Sequence, residues 1–492
     1  MSHDVFTIIV ISFFTLLYAQ EENNQNVNLI SVNQEEITNQ ILNAIQSNEV
    51  NESPLLTNLT NLDLLSAEPT KSIKTKNEKK PYTLLVYIAA DNDLGSFASR
   101  NIQQMSEIGS NSNLNIAIHL DIRISTNQKV TRRYFITEKN KIITTNTGDP
   151  KTQSMDSGNE QTILSAIEWA VENYPADNYM IIFWNHGSGI VDPIKRHIIN
   201  PTSLFIFNPE THMFDLDRSI GFLELIEGPG KKYYQRGICW DDTTHNYLTN
   251  QKLRTVLDTA CTKILHKKFE FIGFDACLMS MIEVADNIAP YANFMIASEE
   301  VELGAGWNYK TSLMPFLASI PESKTFAKHL VKTYEQTYIN ITNDFTLSAL
   351  DLSLVAELKD NINTTALILL ECIKEQQNNS VIKALKISAL PQNCTHFEEP
   401  SYIDLYDLYN NIDKNIGLFK VKNNALIRQL QQTINLGRSI IQRVVIAHTT
   451  GKNLARARGI SIYFPAYSIH PSYKETPFVK TTAWLALLEK CL

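Results

Sequence analysis

The sequence is poor in the residue patterns by which many functional centres are recognised. Its 492 residues hold only six cysteines, Cys239, Cys261, Cys277, Cys372, Cys394 and Cys491. No two form a CxxC pair, which speaks against a zinc site of the usual spacing and against a disulfide scaffold. A single bridge such as Cys372 to Cys394 stays open. The eleven histidines include no HExxH or other ligand spacing. No EF-hand loop and no internal repeat is present. Positive charge is in deficit, with 44 Lys and Arg against 52 Asp and Glu and a net charge of -8. A broad nucleic-acid surface is therefore not expected. Long apolar runs are also missing. The block Val5 to Ala19 in "MSHDVFTIIVISFFTLLYAQEE" is too short for a comfortable membrane span. With Gln20 and two glutamates after it, it reads as a secretory signal over residues 1–20, cut near Ala19 or Gln20. Against this reading, no Lys or Arg lies in its first residues, and Leu17 stands where a small residue is usual. An uncleaved N-terminal anchor is the alternative. Export, or retention at a membrane by this segment, is the expected location.

What remains is enough for a large core, since 43% of the residues are hydrophobic, and the length suits two or more structural units. Residues 21–80 are rich in Asn, Gln, Glu, Ser and Thr and end in "KSIKTKNEKK", as in a flexible spacer or propeptide. Order begins at "PYTLLVYIAADNDLGS". Its run Tyr82 to Ala90 predicts a strand buried on both faces. Further strands are expected at Asn115 to Ile122, over "RRYFITE" as an edge, at Tyr179 to Trp184 and at Glu270 to Phe274. Helices are expected over Gln161 to Asn173 and Asn250 to His266. Strand and helix alternate as in a doubly wound α/β sheet, whose ligands sit at the carboxyl ends of the strands. Beyond residue 320, long helical patterns and two late strands, "RVVIAHTT" and "GISIYFP", suggest a further α/β part that extends the sheet.

Two strand endings carry chemistry. "FIGFDACLMS" stops at Asp275 and places Cys277 two residues on, although Asp is among the poorest strand formers. "FWNHGSG" places His186 directly after a buried run. A thiol is a strong nucleophile only when a base or positive environment draws off its proton. A histidine ending one parallel strand can meet a cysteine ending its neighbour. Gly187 allows a sharp turn and lets its N–H approach a substrate carbonyl. Taken singly, Cys277 reads as a packing residue, His186-Gly187 as a turn, and Asp275 as a helix N-cap. Together they read as nucleophile, base, oxyanion donor and acid.

At these residues the chain resembles the clostripain-like cysteine peptidases, relatives of caspases, legumain and gingipains. "WNHGSG" and "GFDACLMSMIEVA" carry the resemblance, with "YIAADNDL", "DDTTHNYLT", "ASEEVELGAGWNY" and "ARGISIYFP" in the expected order from about Tyr82 to Pro465. The resemblance implies a caspase-like α/β fold, a three-layer sandwich with a mostly parallel sheet. Residues 81–320 would form the catalytic domain and residues 321–492 a C-terminal α/β subdomain extending it. It implies a cysteine endopeptidase with Cys277 as nucleophile, His186 as general base, and the backbone at Gly187 and Cys277 as oxyanion hole. Asp275 would line a primary pocket for Arg or Lys, where a carboxylate left unpaired costs several kcal/mol. Glu299, or its neighbours Glu300 and Glu302, could add negative potential there; their plain reading is a solvated loop. Asp91 or Asn92 is expected to steady the histidine, or to be a turn residue. Partners would be proteins or peptides with a basic residue at the cut. No cofactor is required; some members depend on calcium, for which Asp241, Asp242 and Thr243 are oxygen donors, though a hydrated acidic loop explains them as well. The sequence departs from the family in its N-terminal spacer and in the long stretch from Ile190 to Gln235. Relatives cut themselves in this connection, so Lys195 or Arg196, and next Lys232, are expected processing sites. An uncut insertion would instead pack "SLFIF" against the body. A catalytically silent binding protein is the alternative function.

Overall fold

The computed structural model describes residues 78–125, 128–139, 141–145, 154–192, 204–218 and 238–492, with a few helical positions (38, 39 and 42) ahead of them. The expectations for the signal segment, most of the spacer, and Lys195, Arg196 and Lys232 lie outside the described residues.

Fifteen strands follow in chain order: β1 (Lys80–Ala90), β2 (Leu114–Ser125), β3 (Gln128–Glu138), β4 (Lys141–Thr145), β5 (Ala176–Trp184), β6 (Phe205–Asn208), β7 (Met213–Leu216), β8 (Ile238–Asp241), β9 (Asn246–Leu248), β10 (Phe269–Asp275), β11 (Ala292–Ala297), β12 (Thr346–Asp351), β13 (Tyr402–Asp404), β14 (Val445–Thr450) and β15 (Ser461–Tyr463). Nine of them form one sheet in the order β14-β12-β11-β10-β5-β1-β2-β3-β4. The five central strands, β11-β10-β5-β1-β2, run parallel, and two antiparallel strands are added on each side. The central strands are the ones with unbroken apolar runs: in β1 every residue from Tyr82 to Ala90 is buried. That pattern needs cover on both faces, which helices supply.

Right-handed crossovers decide which helix covers which face. The chain leaves β1 in one direction to reach β2, then returns past β1 to β5, β10 and β11. The first crossover helix, Gly95–Ile108, must therefore lie opposite Glu160–Asn173, Asn250–Thr259 and Ile282–Ile288. Packing agrees. Gly95–Ile108 meets Tyr309–Leu313, which meets Ser323–Tyr338; on the other side Glu160–Asn173, Asn250–Thr259, Ile282–Ile288 and Val355–Glu375 pack in sequence. Side-chain caps start four of these helices: Asn159 accepts from the Gln161 N–H, Thr249 from the Lys252 N–H, Asn308 from the Thr311 N–H and Glu322 from the Thr325 N–H.

Three details differ from the sequence expectation. β3, which contains "RRYFITE", is not an edge strand, because β4 pairs along its far side. The helix expected from Asn250 to His266 is α-helical only to Thr259. It continues as a π turn over Ala260–Leu265 and ends at a left-handed His266. Cys372 and Cys394 are separate buried thiols, not a bridge. The late strands β12 and β14 belong to the main sheet, while β15 pairs with β13 in a small one.

Candidate active site

The order reversal in the sheet falls between β1 and β2 on one hand and β5 and β10 on the other, and side chains at the carboxyl ends of adjacent strands converge there. β1 delivers Asp91 to Asp93, β5 delivers Asn185 to Gly187, and β10 delivers Asp275 to Cys277. Asn185 stitches these ends together. Its N–H donates to the Asp275 carbonyl at 3.3 Å, and its Nδ2 donates to the carbonyls of Ala89 and Trp240 at 2.5 and 3.2 Å. Its Oδ1 accepts from the Trp240 N–H at 2.9 Å. His186 is buried, with Nε2 bonded to Asp93 Oδ1 at 2.8 Å. The expectation for this role was Asp91 or Asn92. Both turn elsewhere: Asn92 donates to Ala89 and Trp240 carbonyls, and Asp91 pairs with Arg123 at 2.8 Å.

His186 and Cys277 line one small cavity with Asp275, Glu302 and Gly306. At about 20 Å³ it has room for little more than one water. Gly187 lies so close to the Cys277 carbonyl that a Cβ on it would fall 2.1 Å from that oxygen. Cys277 is buried, and its Sγ accepts the Glu302 N–H at 3.2 Å. Burial pushes the thiol well up from its ordinary range; the charges of Glu302, Glu300 and Asp275 add to this, and the Glu302 N–H opposes it. Burial in this closed arrangement therefore favours the thiol over the thiolate. Leu278, next in the chain, has a left-handed backbone (φ 65°), which places its N–H on the Glu300 carbonyl at 3.1 Å.

Asp275 is fully enclosed. The Trp307 N–H donates to both its oxygens at 3.2 Å, and the Tyr309 hydroxyl donates to Oδ2 at 2.9 Å. Burial raises its pKa to about 6, against the pull of those donors. Burial also holds Glu302 well above the carboxylate range, and the neighbouring Asp275 charge raises it further. The Ala276 N–H and the Trp307 indole N–H lie near the Glu302 carboxyl, but neither Glu302 oxygen completes a hydrogen bond. Among the described residues no Lys or Arg comes within ion-pair distance of either acid. Asp275 is thus no helix cap: the next helix starts at Ile282, and the carboxylate points to residues 307 and 309. Glu299, the expected second acid, lies elsewhere. Its Oε2 accepts the Gly459 N–H at 2.9 Å, and its carboxyl neighbours Asp404. Glu302 occupies the place expected of Glu299.

The sequence profile of the clostripain family, peptidase family C11, matches residues 86–199 and 228–490. The chain belongs to this family. It is 25% identical over 490 residues to clostripain from Hathewaya histolytica, covering 86% of this chain and 82% of that one. Two solved structures share the fold. A secreted C11 cysteine protease from Bacteroides thetaiotaomicron, solved with an irreversible peptide inhibitor, gives a TM-score of 0.52 at 18% identity, covering 84% of this chain and 99% of that one. An inactive zymogen C11 protease from Parabacteroides distasonis gives 0.53 at 17%, covering 82% and 98%.

In this C11 chain the donors expected for calcium are bonded elsewhere. Asp241 is bonded by Lys129 Nζ and accepts the N–H groups of Ser157 and Thr244, each at 2.9 Å. Asp242 accepts the Trp240 indole N–H at 2.5 Å, and the Thr243 N–H donates to Asp91 at 3.1 Å. Lys129 also pairs with Asp121 at 2.8 Å and Asp91 at 3.4 Å. An ammonium already stands where these carboxylates meet, so the residues do not fit a calcium ion. Among the described residues no group of three or more His, Cys, Asp or Glu is arranged to hold a metal. Asp93 and Asn185 are given no role by the sequence reasoning, although both stand in stretches that carry the resemblance, and Glu302 is expected there only as a neighbour of Glu299.

Proposed function

We propose that this C11 cysteine protease is an endopeptidase that cleaves after Arg or Lys, with Cys277 as nucleophile and His186 as base. What carries the reading is the meeting of three strand ends at one closed cavity, where a thiol and an imidazole face two buried acids that lack a cation. Asp93 at Nε2 favours the tautomer that leaves the lone pair on Nδ1 for the thiol proton. The basic side chain of the substrate supplies a cation to Asp275 and Glu302, and the proton that burial favours on these acids is released to solvent. Its seating requires residues 302–307 to yield, because the cavity is too small as it stands. The Cys277 sulfur then attacks the scissile carbonyl carbon while His186 takes the thiol proton. The N–H groups of Gly187 and Cys277 receive the developing oxyanion. The C–N bond breaks as His186 hands the proton to the leaving amine, and a thioester remains. Water, deprotonated by His186, attacks the thioester and restores the thiol.

No cofactor is needed for these steps. The protein is exported by its N-terminal segment, or held by it at a membrane; among the described residues no helix is long and apolar enough to cross one. Self-cleavage falls in the connection from 190 to 236, first at Lys195 or Arg196 and then at Lys232. Labelling by a lysyl or arginyl chloromethyl ketone tests the assignment. Adduct on Cys277, absent with a norleucyl analogue, is the expected result; an unlabelled thiol in folded protein points to the silent binding protein instead. Denaturing gels of the wild type beside Cys277→Ala read self-cleavage in the same preparation.

A further inference from the structure

The described hairpin in the connection between His186 and Cys277 is held to the body by apolar packing and by a charged contact. This hairpin, β6–β7, docks through buried Leu204, Phe205 and Phe214, and the Phe214 N–H donates to the Ile341 carbonyl at 2.7 Å. Two residues past β7, Arg218 Nη2 reaches Glu300 Oε2 at 2.8 Å and Asp344 Oδ1 at 3.4 Å, and Nη1 lies 3.9 Å from Glu398. The three carboxylates are buried, whereas the guanidinium is 40% exposed beside a cavity of about 490 Å³. Among the described residues no other Lys or Arg comes within ion-pair distance of Glu300 or Asp344.

Glu300 is also tied to the nucleophile. Its Oε1 accepts the N–H groups of Val301 at 2.9 Å and Glu398 at 2.8 Å, which fixes the side chain and the segment on either side of it. Its carbonyl accepts the Leu278 N–H, and two residues on, the Glu302 N–H holds the Cys277 sulfur. A buried carboxylate stripped of its cation takes up a proton or draws in water, and either change weakens the bonds it accepts.

We propose that Arg218 is a positioning residue for Cys277: by neutralising Glu300 it sets the 298–302 segment, and through it the N–H on the thiol and the turn at Leu278. The inference rests on Cys277 being the nucleophile. It also has a consequence for processing. Arg218 is a basic residue within the self-cleaved connection, but its guanidinium is engaged, so it is a poor substrate beside Lys195, Arg196 and Lys232.

The test compares the wild type, Arg218→Ala and Arg218→Ala/Glu300→Gln, each with and without guanidinium chloride at about 10 mM, a range in which a loosely held cation can refill a site. Sodium chloride at equal ionic strength is the control. In Arg218→Ala, kcat on a lysyl or arginyl substrate should fall roughly tenfold, with KM within about threefold. Guanidinium should restore at least half of the loss, and should raise Tm in this variant only. The double variant, with the bare charge removed, should melt above the single one and ignore guanidinium. Alkylation of Cys277 by iodoacetamide should slow at least threefold in Arg218→Ala and recover with guanidinium. This readout needs no peptidase activity, so it separates failure of the inference from failure of the proposed reaction. If Arg218→Ala does not fold, Arg218→Lys is read in its place and should show an intermediate kcat at unchanged KM. Wild-type kcat and alkylation rate in the single variant, a loss confined to KM, or indifference of that variant to guanidinium would each overturn the proposal.

Discussion

Two groups of buried carboxylates flank the strand ends that carry His186, and the protein treats them in opposite ways. On one side Asp91, Asp121 and Asp241 gather around Lys129, with Arg123 on Asp91; all three acids have fully buried side chains, and Lys129 is 4% exposed. Hydroxyl and backbone donors complete the group, among them Thr131 Oγ1 on Asp121 at 2.7 Å. On the other side Asp275 and Glu302 receive dipoles alone. The first group closes around its ammonium and fixes the turn preceding Asp93, although burial still lifts Asp121 to about 7 against the pull of Lys129. In the second, no Lys or Arg among the described residues stands at ion-pair distance, and burial raises Asp275 to about 6 and Glu302 well above the carboxylate range. Such an arrangement costs stability and is common at functional sites; under the proposed function the substrate's basic side chain brings the charge. The contrast separates structure from function without appeal to residue type, since both groups are built from the same carboxylates.

The largest effect should come from breaking the closed unit. Lys129→Met leaves three buried carboxylates facing one another and should destabilise the fold by about 3–5 kcal/mol, read as a fall in the urea midpoint. Adding Asp121→Asn should recover part of that loss. A single variant as stable as the wild type would show that the acids are already neutral without Lys129.

Asp275→Asn should act in the opposite sense on stability. The folded-state pKa of about 6 stands above the ordinary value of 3.8, so this group favours the folded state at low pH and loses that contribution as pH rises through about 6. The amide removes the titration, and at pH 8 the variant should be more stable than the wild type by about 1–3 kcal/mol. Cleavage after Arg and Lys should fall by more than about tenfold. In the wild type, kcat/KM on basic substrates should decline as pH drops below about 6 because a proton competes with the substrate cation, and Asp275→Asn should flatten that limb. Unchanged preference for basic residues in Asp275→Asn would assign the pocket to another acid.

The smallest effect is expected from chelation. With Lys129 occupying the acidic site, EDTA should change activity by less than about twofold, since a calcium site needs several oxygen ligands free to turn to the ion. Complete loss that calcium reverses would place a metal at another set of residues.

The sheet was legible because its central strands are apolar on both faces, and their polar endings mark where ligands sit. That His186 and Cys277 stand at such endings, and line one cavity, could be read from those endings. The supporting residues could not. Asp91, Asn92 and Asp93 are consecutive at the end of β1, and only the geometry of the turn decides which one reaches His186. Glu299 and Glu302 stand three apart in a stretch that bends at Glu299 and Glu300, outside any strand, so the sequence shows the acids but not which side each faces. Lys129 meets Asp241 across more than a hundred residues, and no local pattern marks the pair. β3 was misjudged as an edge because its partner β4, "KIITT", is too short to stand out.

The absence of one carbon atom at Gly187 bears on how the enzyme can be controlled. With the Gly187 backbone against the Cys277 carbonyl, and β5 and β10 side by side in register, the imidazole and the thiol ride on a single rigid joint. No hinge runs between them, so the gap across the pair cannot open or close as two bodies move. Control must act from outside that joint, on the wall that contains Glu300 and Glu302 and on whatever leans against it. Under the proposed function, latency and activation are then a matter of what surrounds His186 and Cys277.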